Sequence, residues 1–412
     1  MAKHYKRTDC RLCGSSYLTK AFVLQPTPLA DSYLPDADQA RNLPSYPLDL
    51  YLCANCGHAQ LLDVVMPEEI YLNYIYETKT SLGLRSHFEQ YARDTLTSIQ
   101  PAEGSFVLDI GSNDGTLLTF FRQAGHRVLG IDPAGEIARR ATRKGIPTLA
   151  AFFGPDLADT IKSEHGPATI VTSNNLVANV DDLHSFVDGI RRILAKDGVF
   201  IFESFYMLDW MRNFVFDFTY HEHLSYFSVT PLKRFFAEQG MELIDVLHTQ
   251  SKGGSLRYIV QMAEGGRQPS PRIAEYEILE KQHCLHQLSG LQAYEKSVHI
   301  AGEKLREYLS TIIKQGERIV GYGASATTTT LLYQFGLHEY LTFIVDENPD
   351  KIGLYAPGSG LAVYSPDRLM HDRPENVLIL AWRYAEPIIN KNRNYQDAGG
   401  RFIIPLPTLQ FV

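Results

Sequence analysis

The chain has 412 residues, too many for one ordinary hydrophobic core, so two or three domains are expected. Hydrophobic residues make up 44% and charged residues 21%, the balance of an ordinary globular protein. A formal net charge of −8 without a basic block, and the lack of any apolar run near the roughly 20 residues of a membrane span, argue against nucleic-acid and membrane partners.

Residues 1–66 are short apolar runs broken by Pro, Gly and Cys, the pattern of a small, turn-rich module. The charged N-terminus has no apolar segment behind it and does not read as a signal peptide. An aromatic stretch from Tyr71 to Tyr76 leads into a helix ending near Ile99. Strands and helices then alternate. Residues 105–110, 126–131, 147–150, 168–172 and 198–203 read as short buried strands with helical spacing between them, which predicts a doubly wound parallel sheet. Residues 243–247 and 255–260 are expected to add an antiparallel edge. After a loop at 265–271, helical periodicity runs from 273 to 315. A second alternation, at 318–323, 341–346, 376–382 and 400–404, predicts a second, smaller open sheet. The predicted fold class is α/β, two Rossmann-like sheets behind a small N-terminal module.

Four of the five cysteines form two C-x2-C pairs, Cys10 with Cys13 and Cys53 with Cys56, with 39 residues between the pairs. Four thiolates give Zn²⁺ the tetrahedral sulfur shell it favours and leave no position for water, so a structural zinc is expected. Paired spacing fits metal binding in a reducing compartment better than a disulfide framework, and the expected location is cytoplasmic. His58 reads as a bystander. Cys284, between His283 and His286, has no partner at ligand spacing and reads as a helix position.

The segment from Val107 to Leu118 reads as a strand, a Gly-rich turn and a helix start, carrying Asp109, Gly111, Asn113 and Gly115. The next strand ends in Asp132 and Pro133, and an acid about 20 positions after such a turn suits a ribose diol. The nicotinamide fingerprint G-x-G-x-x-G is missing, and Asp114 would serve a pyrophosphate poorly. The turn therefore favours a cofactor without phosphates, S-adenosylmethionine. Asn174 and Asn175 end another strand at the carboxyl edge of the sheet, where ligands bind, and join the candidate cofactor contacts.

The run Tyr220, His221, Glu222, His223 concentrates acid–base groups in four residues. In an extended segment His221 and His223 share one face while Tyr220 and Glu222 share the other, and a tight turn would lift that limit. The spacing lacks the helical H-E-x-x-H of a metal site. Farther on, Tyr322 and Ser325 lie where a strand gives way to a helix, a setting that suits phosphate. Asp346, Lys351 and Arg383 follow other strands of that sheet and, with Thr327, complete the candidate substrate contacts.

Together these motifs resemble the sugar C-3-methyltransferases, S-adenosylmethionine-dependent class I enzymes acting on nucleotide-linked 4-keto-6-deoxysugars of antibiotic and surface-polysaccharide pathways. Residues 109–115 are similar to class I motif I, and the cysteine pairs, the run at 220–223 and the glycines at 321 and 323 give the family's layout over essentially the whole chain. The resemblance implies a zinc module at 1–66, an S-adenosylmethionine domain at 67–285 and a sugar-nucleotide domain at 286–412. It implies His223 as the catalytic histidine, Glu222 as its neighbouring acid, and Tyr220 and Tyr76 as active-site tyrosines. The substrate would be linked to dTDP or GDP, and the enzyme a monomer or weak oligomer. Two positions depart from the pattern. Asn179 stands where the family has a histidine, and Thr327 where it has a lysine. Asn179 cannot exchange a proton, so its expected role is to donate to an enolate oxygen. O-methylation of a nucleotide sugar, NAD(P)-dependent sugar oxidation and a non-catalytic zinc-stabilised adaptor are the competing readings.

Overall fold

The computed structural model describes residues 4–71 and 83–412. They group into two units, each discontinuous in the chain. One comprises 4–19, 52–71, 83–209 and 224–287, the other 20–51, 210–223 and 288–412.

The first unit is built on a seven-stranded sheet. From edge to edge its order is Met241–Thr249, Ser255–Met262, Leu194–Phe205, Ala168–Asn174, Phe106–Ile110, Arg127–Ile131 and Thr148–Leu149. The last five run parallel, and Ser255–Met262 is antiparallel to both neighbours, the edge expected from the sequence. Every residue of Phe106–Ile110 is buried, as a strand covered on both faces requires. The helix Leu84–Ile99 turns Phe88, Tyr91, Ala92, Thr95 and Ile99 inward at three- and four-residue spacing. Phe88, Tyr91 and Ile99 share a core with Val107, Ile170, Val199 and Ile201, each such burial contributing about 1.5–3 kcal/mol. The order reverses between Phe106–Ile110 and Ala168–Asn174, and that switch point fixes where a ligand cleft can open. Gly111 turns the chain there at φ 75°, and a Cβ on Gly130 in the next strand would stand 2.4 Å from Ser112 Oγ.

One expectation is corrected here. The helical stretch from 273 to 315 is two helices, Arg272–Gln282 and Leu288–Lys314. Cys284 is no helix position, since it takes φ 50° in the turn between them. Tertiary bonds override the periodicity. Leu285 is fully buried, His286 Nε2 lies 2.9 Å from Ser228 Oγ, and Glu280 accepts the N–H groups of Val229 and Thr230 at 2.6 and 3.0 Å. Glu280 thereby caps the helix Val229–Glu238 from a distance in sequence.

The second unit carries the predicted second sheet, ordered Val363–Tyr364, Ile344–Val345, Ile319–Tyr322, Asn376–Ile379, Arg401–Ile404 and Gln410–Phe411. All neighbours are parallel except the last pair. Val320, Val345, Val377, Ile379 and Phe402 form its core. Among the described residues no helix is long and apolar enough to cross a membrane.

The two cysteine pairs fold as matching turns in the first unit. Gly14 N–H donates to Cys10 O and Gly57 N–H to Cys53 O, both at 2.9 Å. The four Sγ atoms lie within 4.8 Å of one another, with Cys10 to Cys56 and Cys13 to Cys53 each 3.6 Å. A zinc–sulfur distance of about 2.3 Å implies tetrahedral edges of about 3.8 Å, so the cluster fits a zinc ion. His58 stands apart, with Nε2 3.3 Å from Ser225 Oγ and its ring stacked on Phe227. The purified chain should carry about one zinc. Cys53→Ser should lose it and cost about 4 kcal/mol or more in unfolding experiments, the range of changes that remove a structural metal. Metal analysis finding no zinc in the native protein would contradict this assignment.

Candidate active site

At the switch point of the first unit opens a cleft of about 360 Å³, within the size range of small-molecule sites. Of the eight predicted cofactor residues, Asp109, Gly111, Asn113, Asp132, Pro133, Asn174 and Asn175 line it. Gly115 does not; it starts the helix Thr116–Gln123 behind the turn. Asn179, predicted for catalysis, lines this same cleft.

Two carboxylates organise the cleft. Asp132 accepts Asn113 N–H and Ala134 N–H, both at 2.9 Å, one on each oxygen. It thus ties the glycine turn to the end of the second strand, while burial raises its pKa. Asp109 accepts the Thr172 hydroxyl at 2.6 Å. Burial, with a contribution from the charge of Asp132, pushes the Asp109 carboxyl up to about 7 against the opposing effect of the Thr172 bond. Ser112 Oγ and Asn179 Oδ1 are buried with no hydrogen-bond partner among the described residues, the condition of groups that a ligand satisfies. Asp114 spends Oδ1 on Thr116 N–H at 3.2 Å and on its hydroxyl at 2.6 Å. An acid capping this helix start disfavours an anion there, which suits a cofactor without phosphates.

Sequence reasoning missed the group that holds the cleft's rim. Glu203, fully buried, takes His87 Nε2 at 2.7 Å, the Ser251 hydroxyl at 2.7 Å and Arg257 Nη2 at 3.1 Å. Burial alone would raise its pKa; His87 and Arg257 outweigh that and hold it below the usual carboxylate range. The network fastens the first turn of Leu84–Ile99, whose Leu84 and Phe88 line the cleft, and the 251–253 loop, whose Lys252 also lines it. The available signal was an acid closing an otherwise apolar strand.

In the second unit, the 220–223 run is a tight turn. His223 N–H donates to Tyr220 O at 2.9 Å, and the two rings stand 4.1 Å apart. Tyr220, His221 and His223 are buried and Glu222 half-buried. His223 Nδ1 lies 2.7 Å from the Phe218 carbonyl oxygen. A carbonyl only accepts, so Nδ1 carries the proton and Nε2 the basic lone pair. His221 Nε2 points to Tyr46 O at 3.2 Å. Tyr76 lies outside the described residues.

Five of the six predicted substrate contacts lie in or bond to the 322–327 segment, Arg383 lies on Asp217, and several are engaged within the protein. Asp346 accepts Ala324 N–H at 2.5 Å and Asn348 N–H at 2.7 Å. Lys351 Nζ donates to Ala324 O at 2.6 Å and pairs with Asp31. Tyr322 donates to Glu347 at 2.9 Å, and Ser325, which caps the helix Ala326–Phe335, has Oγ 3.0 Å from Thr327 Oγ1. Arg383 Nη1 binds both oxygens of Asp217, at 2.9 and 3.1 Å, and its guanidinium lies 4.4 Å over the Phe218 ring. Asp217 is fully buried and also accepts Trp382 Nε1 at 3.0 Å, so this cation is already paired.

Residues 10–71 match a domain described as "Putative zinc binding domain", residues 84–246 a "Methyltransferase domain" and residues 250–407 a "C-methyltransferase C-terminal domain". The chain is 31% identical over 400 residues to the C-methyltransferase NovU of Streptomyces niveus, covering 97% of this chain and 95% of that protein. Among solved structures it is similar to the PH0226 protein from Pyrococcus horikoshii OT3, at 13% identity and a TM-score of 0.38 over 48% of this chain and 98% of that one. It is also similar to the magnesium protoporphyrin IX methyltransferase ChlM from Synechocystis PCC 6803 with bound SAH, at 14% identity and a TM-score of 0.34 over 43% of this chain and 83% of that one. The relationship to NovU extends over nearly the whole of both proteins, and on that ground the chain belongs to the zinc-containing, S-adenosylmethionine-dependent C-methyltransferases that its motifs resemble.

Proposed function

We propose that the acceptor is C-3 of a nucleotide-linked 4-keto-6-deoxysugar, carried by dTDP or GDP, and that His223 is the base. A ketone at C-4 makes the C-3 proton weakly acidic, and removing it requires a base that works near neutral pH. The observation that carries this reading is the Nδ1 hydrogen bond of His223, which fixes the tautomer with its basic lone pair on Nε2. As that proton leaves, the C–H electron pair becomes an enolate whose oxygen needs donors. Asn179 and the tyrosines Tyr220 and Tyr76 are assigned that task, and Glu222 supports the histidinium that forms. When bound, S-adenosylmethionine would supply the electrophilic sulfonium methyl for C-3 and leave as the neutral thioether, with the ketone restored. Tyr322, Ser325, Thr327, Asp346, Lys351 and Arg383 are assigned to the sugar nucleotide. Lys351 and Arg383 would act there together with their carboxylates, Asp31 and Asp217, and so would offer phosphate less charge than two bare cations.

The proposed pathway is deoxysugar biosynthesis for a surface polysaccharide or natural product. Nucleic acid and membrane are not expected partners, and the cytoplasm remains the expected location.

Two outcomes check the assignments. A cationic cofactor binds best when Asp109 is ionised, and its carboxyl is held near pH 7. Below that pH binding must expel a proton, so affinity should rise with pH. Calorimetry should find S-adenosylmethionine roughly three- to tenfold weaker at pH 6 than at pH 8, and Asp109→Asn should flatten the dependence. A flat wild-type profile would remove Asp109 from contact with the cofactor's charge.

Proton exchange separates base from donor where rates cannot, since losing a base costs on the order of 10²–10⁴ and losing an oxyanion donor roughly 10²–10³. With S-adenosylhomocysteine bound in deuterated water, the wild type should wash deuterium into C-3 of a 4-keto sugar nucleotide. His223→Asn should abolish the wash-in, while Asn179→Ala should slow it. Exchange at the wild-type rate in His223→Asn would pass the role to Glu222 or a tyrosine.

A further inference from the structure

Within the first unit, the cysteine module and the methyl-donor cleft share an ion cluster centred on one buried guanidinium. Arg11 sits between the zinc ligands Cys10 and Cys13, and its side chain is fully buried. Its Nε and Nη2 stand 3.0 and 2.9 Å from the same oxygen of Asp181. Its Nη1 donates to Gln60 Oε1 at 3.1 Å and also to Leu61 O. Gln60 Oε1 accepts the Arg11 backbone N–H as well, at 3.0 Å, and lies just beyond the second cysteine turn. The guanidinium thus ties the first cysteine turn to the strand Ala59–Leu61 that follows the second. Arg7 Nη1 reinforces the cluster, 3.1 Å from Asp181 Oδ1 and 2.8 Å from Asp181 O, and the Tyr5 hydroxyl donates to Asp181 Oδ2.

Asp181 is part of the cleft wall. It lines the cleft together with Asn179, Val180 and Asp182, and Asp182 accepts Ser185 N–H to cap the helix Leu183–Ile193. A metal that fixes Cys10 and Cys13 also fixes the backbone of Arg11 between them. A buried guanidinium cannot give up its carboxylate without a heavy desolvation penalty, so Asp181 must follow Arg11. A plain staple would hold the module down and leave cofactor affinity unchanged. This one ends in the wall itself.

We propose that the Arg11–Asp181 pair is a positioning device through which the zinc module sets the cofactor cleft, so that metal binding and S-adenosylmethionine binding strengthen each other. The proposal rests on the zinc and cofactor assignments and is independent of the sugar. Linkage makes the coupling reciprocal, and its expected size is roughly five- to tenfold.

The test uses zinc-loaded protein, S-adenosylhomocysteine as ligand and 4-(2-pyridylazo)resorcinol as competing chelator. In the wild type, saturating S-adenosylhomocysteine should strengthen zinc retention at equilibrium roughly five- to tenfold. Asp181→Asn should still bind zinc and S-adenosylhomocysteine, the latter more weakly by the same factor. Its KM for S-adenosylmethionine should rise accordingly, with kcat little changed, and zinc retention should no longer respond to the ligand. Asp181→Glu should restore part of the response. Zinc retention indifferent to S-adenosylhomocysteine in the wild type would overturn the proposal even if Asp181→Asn fails to fold. So would an unchanged cofactor affinity in a folded Asp181→Asn. A wild type that holds no zinc, or gives no binding heat with S-adenosylhomocysteine, would sink the cofactor assignments and this coupling with them, a failure distinct from intact binding without linkage.

Discussion

The hydrogen bond from His223 Nδ1 to the Phe218 carbonyl, 2.7 Å long, assigns the proton in the imidazole. The proposed reaction, on a carbon acid next to a ketone, needs a neutral base with its lone pair on a known atom, and this one bond would supply that. Much of the second unit holds it in place. Phe218 follows Asp217, whose buried carboxylate is pinned by Trp382 and Arg383. Thr219 O accepts the Thr330 hydroxyl at 2.7 Å. The turn then closes from His223 back to Tyr220. Arg383 on Asp217 is a buried ion pair of the kind that is costly to break from one side. Its value here is to fix the backbone beside His223.

The first unit solves a different problem, holding carboxylates in place for a cationic cofactor. Asp132 spends both oxygens on backbone N–H groups of the cofactor turn, and Asp109 lies buried with a raised pKa. The cleft therefore offers carboxylates that are oriented before a ligand arrives. Zinc fits the same logic. Four sulfurs on two short turns would, around one zinc ion, fix Arg11 and the backbone on either side of it.

Much of this was legible in the chain. Buried parallel strands announced themselves as short apolar runs bounded by glycine, and the antiparallel edge by its position after the last crossover. The cysteine spacing carried the metal cluster, and the glycine turn with Asp109 and Asp132 carried the cleft. What the sequence could not express were contacts between distant residues. Arg11 and Asp181 lie far apart in the chain, as do Asp217 and Arg383, and nothing local marks either pair. The grouping of 20–51 and 210–223 with 288–412 likewise has no sequence signal in any consecutive stretch. At 283–287 local periodicity misled, because the burial of Leu285 and the bonds of Glu280 and His286 outweighed helix continuation. The turn at 220–223 was the opposite case. Its residue types pointed to chemistry, and the choice between strand and turn depended on the carbonyls that His223 meets.

The central claim is that carbon, at C-3, receives the methyl. The most direct measurement is to incubate the enzyme with S-adenosylmethionine and a panel of dTDP- and GDP-linked 4-keto-6-deoxysugars, then to locate the added group by mass spectrometry and NMR. The account predicts one new methyl bonded to C-3, on a sugar whose C-4 ketone is retained. A methyl on oxygen, or on a carbon not adjacent to the ketone, would contradict it.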